Sequence, residues 1–338
     1  MLDLKLIRSQ PELIAENCRK RNVNVDIEKL LKLDEKVRQT TTEVDSFRQI
    51  RNDISNKMKG NLSAEERHPL IEESKQLRDK EAEKESLLRE LIEQRLELLK
   101  QVPNLTHPDS PEGLTDEDNQ PIRKVGTIPE FDFEPKDHVD LMEALDLIDF
   151  DGGAKVSGQK FYFLKNQAVF LELALANYAL DLLQKEGFTV HMTPDLARHQ
   201  ILDGIGFNPR GEETQIYSVE DFDLCLIATA EITLGGLLVD QVLDPERLPI
   251  MYAGFSHCYR TEAGAAGRES RGLFRVHQFS KVEMFAFTHP DQSEEMHQKM
   301  LSIEEQIYQD LGIPYQVVNI CSGDLGGPAY RKYDLEAW

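Results

Sequence analysis

The chain has 338 residues, 40% of them hydrophobic and 30% charged, with 61 Asp and Glu against 39 Lys and Arg and a formal net charge of −22. That length allows two or more domains and a sizeable core. No uninterrupted apolar run approaches membrane-spanning length, and residues 1–22 lack the apolar centre of a signal peptide, which excludes membrane and secretory classes and points to the cytoplasm.

The charge is unevenly spread. Between Glu28 and Lys100 there are sixteen Lys or Arg against seventeen Asp or Glu, a balance of −1, so the rest of the chain carries −21. Residues 28–59 are slightly basic, with eight positive side chains against six negative. A near-neutral arm on an acidic body can still position a polyanion, because phosphates answer to local potential. Charge alone does not predict RNA binding. The four cysteines, Cys18, Cys225, Cys258 and Cys321, form no CxxC pair and read as reduced thiols.

In chain order, the first predicted element is a helical arm. Leu30, Val37 and Val44 repeat at heptad spacing, interleaved with Leu33, Phe47 and Ile54. After Gly60 and Asn61 a second run passes through Leu70, Leu77, Leu91 and Leu98, with Ser63 and Glu66 as a capping box. Thr40 and Arg51 interrupt the first apolar stripe and Lys84 the second, as suits a two-helix antiparallel hairpin. From the residues alone, a dimerisation coiled coil or a plain spacer ranks above RNA binding, since charged helix faces are usually only solvated.

Pro103, Pro108, Pro111, Pro121, Pro129 and Pro135 then punctuate a polar stretch, read as a linker over 106–138 between an arm over 1–105 and a second domain over 139–338. Beyond it, residues 160–164 read as a short strand and 167–186 as an apolar-rich helix. Strands are expected at 189–192, 224–227, 249–259, 275–287 and 315–320, with an amphipathic helix over 292–311. Hairpin-linked strands with helices set to one side indicate an α+β fold with a mainly antiparallel sheet. No GxGxxG and no P-loop motif is present, which excludes Rossmann and Walker nucleotide sites.

The stretch from Phe255 to Phe285 carries the chemistry. Alternation places Arg275, His277, Phe279, Lys281 and Glu283 on one face of the second strand, with Val276, Gln278, Val282 and Met284 on the other. Cys258, Arg260 and Glu262 are likewise coplanar on the first. Same-face neighbours lie roughly 7 Å apart, so Arg275 and Glu283 bracket about 27 Å, enough for a nucleotide and a small second substrate. Arginine forks suit phosphate, and a phenylalanine face suits a base. Glu262 and Glu283 can accept from an amine. The bland alternative, a solvated hairpin with cross-strand ion pairs, accounts poorly for all of these together. Gly264, Gly267 and Gly272, with Arg268 and Arg271, read either as an ordinary hairpin loop or as a flap over bound substrate, and the flap is favoured.

These motifs resemble the seryl-tRNA synthetases. RTEAG, a glycine-rich loop and FRVHQFSKVEMF are similar to motif 2 of class II aminoacyl-tRNA synthetases. The run from Leu226 to Glu231 resembles the family's serine-binding TAE loop, and GFTVHMTPDLA its dimer-forming motif 1. The opening MLDLKLIRSQPELIAENCRKRN is also typical, so the resemblance covers Met1 to Trp338. It implies ATP-dependent activation of L-serine to seryl-adenylate and transfer to tRNA-Ser, with tRNA-Sec as a further candidate, by a homodimer whose arm grips the long variable arm of the tRNA. It assigns catalysis to Arg260, Glu262 and Arg275. ATP binding falls to Arg260, Thr261, Glu262, Arg275, Val276 and Phe279. Serine binding falls to Thr229, Ala230, Glu231, Arg260 and Glu283. Thr229, taken alone, reads equally as a core or capping threonine. Magnesium is implied by ATP chemistry, with no metal ligand assigned within this chain.

The family pattern continues past DLEAW to a Glu-x-x-Ser segment and motif 3, and this sequence stops at Trp338. The expectation is a chain that is unstable, inactive or both as written. The alternative to the synthetase is a truncated, non-catalytic, synthetase-like tRNA-binding or regulatory module. A third reading is a coiled-coil interaction protein with an incidental globular tail.

Overall fold

The computed structural model describes residues 2–60, 63–207, 216–262 and 271–338. The chain divides into two units, Met1–Gln120 with Asn319–Lys332, and Pro121–Val318 with Tyr333–Trp338.

The first unit opens with two short helices, α1 (Leu4–Ser9) and α2 (Pro11–Lys20), followed by two long ones, α3 (Ile27–Met58) and α4 (Ala64–Gln101). Their starts are written locally: Asp3, Asp26 and Ser63 cap with their side chains, Pro11 stands first in α2, and Ser63 with Glu66 forms the expected capping box. At 32 and 38 residues, α3 and α4 span about 48 and 57 Å. The heptad residues Leu30, Leu33, Val37, Val44 and Ile54 are buried, as are Leu91 and Leu99.

The charged interruptions of the stripe are paired across the hairpin. Arg51 meets Glu81, and Lys84 meets Glu43 at 2.6 Å. Buried Asp34 is held by Arg95 at 2.8 Å, Arg38 at 3.1 Å and Arg8 at 3.6 Å. Pairs run in opposite sense along the two helices, which fixes the antiparallel register. Buried Arg21 donates to the carbonyls of Leu325, Gly326 and Ala329 at 3.2, 2.5 and 2.9 Å, tying the glycine-rich segment 322–328 into this unit.

The second unit contains β1 (Gln120–Val125), α5 (His138–Ala144), β2 (Ile148–Asp149), α6 (Phe150–Ser157), β3 (Phe163–Leu164), α7 (Gln167–Lys185), β4 (Thr189–Met192), β5 (Leu196–Ala197), α8 (His199–Ile205), β6 (Cys225–Leu226), α9 (Ala230–Gly236), β7 (Ile250–Tyr259), β8 (Gln278–Phe287), α10 (Ser293–Asp310), β9 (Tyr315–Asn319) and β10 (Tyr333–Ala337). Its central sheet runs β4-β7-β8, with β7 and β8 antiparallel over ten residue pairs and β4 parallel to β7. A second sheet runs β1-β9-β10. β1 lies inside the stretch read as linker. Its sequence QPIRKV shows no apolar alternation, and it is anchored instead by the Arg123 fork on Glu305 at 2.9 and 2.5 Å.

One face of the central sheet is closed by α7 and α10. Leu182, Leu183, Phe188, Ala253 and Ile303 form a buried cluster that also takes in Val282 and Met284. These are residues that alternation assigned to the apolar side of β8. The other face is therefore left for Phe279, Lys281 and Glu283. All four cysteines are buried and free, and burial pushes the Cys258 thiol up, as befits a packed side chain rather than a nucleophile. No described helix is long and apolar enough to cross a membrane.

Candidate active site

The site begins with cross-strand pairing. Gly254, Ser256 and Cys258 of β7 stand directly opposite Glu283, Lys281 and Phe279 of β8, so small side chains lie beneath long ones on the same face. Gly254 serves a second purpose. A Cβ there would lie 3.0 Å from Leu234 Cδ1, 3.1 Å from Thr193 Cγ2 and 3.2 Å from the Ala230 Cβ. The absent side chain lets the first turn of α9 rest directly on the sheet.

That turn brings the TAE residues to Glu283. Thr229 is the N-cap of α9, its Oγ1 accepting from the Glu231 N–H at 3.4 Å, and it is only 3% exposed. The same hydroxyl donates to Glu283 Oε2 at 2.5 Å. Thr229 is thus both a capping residue and part of the polar cluster. Ala230 is fully buried. The Glu231 carboxyl is pushed above its ordinary value by burial and by the charge of Glu283, with Lys281 opposing.

At the other end of the ribbon, β7 ends at Tyr259 and β8 starts only at Gln278. The strand expected from Arg275 is shorter by three residues, so alternation does not place Arg275, His277, Arg260 or Glu262. Specific contacts do. Glu262 takes φ 50°, a left-handed conformation that costs a residue with a side chain about 1–3 kcal/mol. From there its carboxylate pairs with Arg275 at 2.8 Å. The Arg260 N–H donates to the His277 carbonyl at 3.0 Å, and the His277 ring Nδ1 lies 2.8 Å from the Arg260 carbonyl. A carbonyl only accepts, so Nδ1 carries the hydrogen. Phe161 stacks on the His277 ring at 5.1 Å, and the Tyr217 hydroxyl lies 3.0 Å from Nδ1.

The Arg260 guanidinium stands 5.2 Å from the centroid of Phe279. Its Nε is buried without a hydrogen-bond partner among the described residues. An orphaned buried donor over an aromatic ring fits an anionic, base-bearing ligand such as ATP. Val276 is buried at 5% exposure. Thr261 lies between Arg260 and Glu262 in the chain. A cavity of about 220 Å³ lies alongside, lined by Phe161, Tyr162, Glu172 and Ser280, and shares Phe279 with the cluster. It takes in Gln278 and Ser280 from the opposite face of β8, so it is distinct from the space where Arg260 and Glu283 converge.

Of the loop residues singled out by sequence, Gly264, Gly267 and Arg268 lie outside the described residues. Arg271 pairs with Asp137 and with Asp140 at 2.6 Å, at the start of α5. Gly272 has φ 74°, and a side chain there would collide with His138.

Sequence reasoning assigned no role to Lys281, His277 or Glu304. Lys281 was visible as the residue between Phe279 and Glu283 on one face. The part played by His277 depends on Phe161 and Tyr217, more than a hundred and about sixty residues distant, and no local pattern announces it. Glu304 of α10 is exposed by area, yet protein atoms around its carboxyl, together with the charges of Glu283 and Asp334, push it up to about 7 against the pull of Lys281. Among the described residues no group of three or more His, Cys, Asp or Glu is placed to hold a metal ion.

Comparison with known proteins identifies the family. Residues 217–338 match the tRNA synthetase class II core domain (G, H, P, S and T), and residues 1–106 match the seryl-tRNA synthetase N-terminal domain. The serine–tRNA ligase of Rubrobacter xylanophilus is 54% identical over all of this chain and 80% of its own length, and that of Treponema denticola is 51% identical with the same coverage. The chain thus spans about four-fifths of the length of these relatives. The solved seryl-tRNA synthetase of Pyrococcus horikoshii complexed with ATP superposes with a TM-score of 0.87 at 40% identity, over all of this chain and 81% of that one. The cytoplasmic serine–tRNA ligase of Naegleria fowleri in complex with AMP gives 0.82 at 33% identity, covering 100% and 79%. With matching domains at both ends and full-chain relatives far above chance identity, this chain belongs to the seryl-tRNA synthetase family of class II aminoacyl-tRNA ligases.

Proposed function

We propose that this ligase activates L-serine with ATP and transfers the seryl group to tRNA-Ser, with tRNA-Sec as a second acceptor. The serine carboxylate attacks the α-phosphorus of ATP, forming seryl-adenylate and releasing pyrophosphate. The terminal ribose hydroxyl of the tRNA then takes the acyl group and AMP departs. In-line displacement at phosphorus depends on positioning and charge neutralisation rather than on a strong base. Arg260 is assigned to the α-phosphate and the serine carboxylate, and its orphaned Nε supports that role. Glu262 and Arg275, already paired, hold the nucleotide with Thr261 and Val276, and Phe279 stacks on adenine. Thr229, Ala230, Glu231 and Glu283 receive serine. A buried site built to hydrogen-bond a hydroxyl rejects analogues lacking one.

The observation that carries this reading is the convergence on one sheet face of the Arg260–Phe279 contact and the Thr229–Glu283 hydrogen bond. Magnesium enters the proposal only as the companion of ATP phosphates. We assign residues 1–105 to the tRNA-binding arm, 106–138 to the linker and 139–338 to catalysis, and place the protein in the cytoplasm. A homodimer through the motif 1 region is supported by the apolar surface there: Phe170 is 71% exposed, Leu171 60% and Met192 83%. The direct test is aminoacylation of tRNA-Ser with labelled amino acids by the complete gene product. Serine is expected to be incorporated; charging with a different amino acid would contradict the proposal.

A further inference from the structure

We propose that the Lys281 ammonium is a built-in occupant of the position that receives the ammonium of serine, so that substrate binding exchanges one ammonium for another. The inference rests on the assignment of Thr229, Glu231 and Glu283 to serine.

The geometry is direct. Lys281 Nζ lies 3.1 Å from Thr229 Oγ1 and is ion-paired with the Glu283 carboxylate. It therefore touches two of the side chains assigned to serine. A lysine ammonium and an amino-acid ammonium present the same chemistry, one positive charge and three N–H donors with no acceptor. Whatever can hold the second can hold the first.

Charge explains why an occupant is needed. The charge of Glu283 on β8 raises the cost of ionising Glu231 on α9 and Glu304 on α10. Lys281 is the cation whose field opposes that repulsion at both Glu231 and Glu304. Without it, the ligand-free site would hold like charges with little compensation. With it, a positive charge already sits against Glu283 where an incoming cation would go.

The side chain is also able to leave. Lys281 is 35% exposed, against 18% for Glu283. Its stem rises from β8 opposite Ser256, a small and buried neighbour. Four flexible methylenes let the ammonium withdraw while the backbone ladder stays fixed.

An occupied site binds its ligand more weakly by the fraction of time it is free, so removing the occupant tightens binding. A lysine that merely aligned Glu283 would behave in the opposite way: its loss would weaken serine. The two roles thus differ in the sign of one measurement. Serine affinity would be measured by calorimetric titration on the complete enzyme and on the Lys281→Met and Lys281→Gln variants, with circular dichroism as the check of folding. The serine Kd is expected to fall by about three- to tenfold in a folded neutral variant. An unchanged or weaker serine affinity in either folded variant overturns the proposal.

A crystal structure of the unsubstituted enzyme with serine gives a second reading that needs no variant. Lys281 Nζ should be found away from Thr229 and Glu283, with the serine ammonium in its place. Finding Nζ still on Thr229 with serine bound overturns the proposal while leaving the serine assignment intact. Failure of the unsubstituted enzyme to bind serine at all removes both.

Discussion

At the scale of single residues, the site is a set of pairs that hold one another before any ligand arrives. Glu262 accepts an unfavourable backbone conformation and is rewarded by Arg275, and His277 fixes Arg260 through its backbone carbonyl rather than its guanidinium. Phe279 is the side chain proposed to stack on the base. Stacking of a base on an aromatic ring is worth about 1–3 kcal/mol, so Phe279→Ala should raise the KM for ATP roughly tenfold or more and leave the serine Kd nearly unaltered. Steady-state exchange kinetics at varied ATP check this. Glu304 gives a prediction in pH. Its carboxyl in the folded protein is pushed up to about 7 from an ordinary value of 4.5, so folding penalises its charged form. The penalty is absent below the lower value and grows as pH rises from there, reaching its full size above the upper one. Glu304→Gln should therefore raise Tm at pH 8 and change it little at pH 4.5. Equal shifts at the two pH values would be the contrary result.

At the scale of elements, the decisive contact is α9 on β7. Gly254 admits the helix, and the helix delivers Thr229 and Glu231 to Glu283. Gly254→Ala puts a methyl 3.0–3.2 Å from three side chains, at an expected cost of roughly 1–3 kcal/mol. Because the displaced element carries residues proposed to bind serine, the serine KM should rise more than that for ATP. In the arm, many basic side chains are consumed by acids across the hairpin, including Arg48, Arg51, Lys84 and Arg95. Arg67, Lys75 and Arg78 are exposed and form no ion pair among the described residues. Replacing all three by Ala should weaken tRNA-Ser binding and make it less sensitive to salt, the slope falling by about 1 for each phosphate these side chains neutralise. A salt titration of tRNA affinity checks it, and exchange in the absence of tRNA should not change.

How far sequence reached is also an element-scale matter. Helices with a long apolar period, α3, α4, α7 and α10, were legible because periodicity and caps are local. So was the face of β8 that carries Phe279, Lys281 and Glu283, because alternation is fixed by the pleat. The placement of Arg260, Glu262 and Arg275 was not derivable that way. The ladder stops before them, and a left-handed glutamate and a histidine ring take over. β1 escaped because its stability comes from the Arg123–Glu305 fork and from β9, neither of which a window around Gln120 contains.

At the scale of the whole molecule, charge is divided according to task. An acidic body carries an arm of near-zero net charge, on which Arg67, Lys75 and Arg78 are exposed. The second unit turns one face of its central sheet to α7 and α10, and the other carries the residues proposed to do the chemistry. The apolar surface on α7 and β4 is the region proposed to be covered by a second copy. The central claim is that this open face activates serine through Arg260. Serine-dependent ATP–pyrophosphate exchange by the complete gene product and by its Arg260→Ala variant tests it most directly, because it isolates adenylate formation from tRNA. Exchange should require serine, and the variant should lose about a hundredfold or more in kcat, the range seen when one preorganised charge donor is removed. Exchange without serine, or an Arg260→Ala enzyme as active as its parent, would contradict the account.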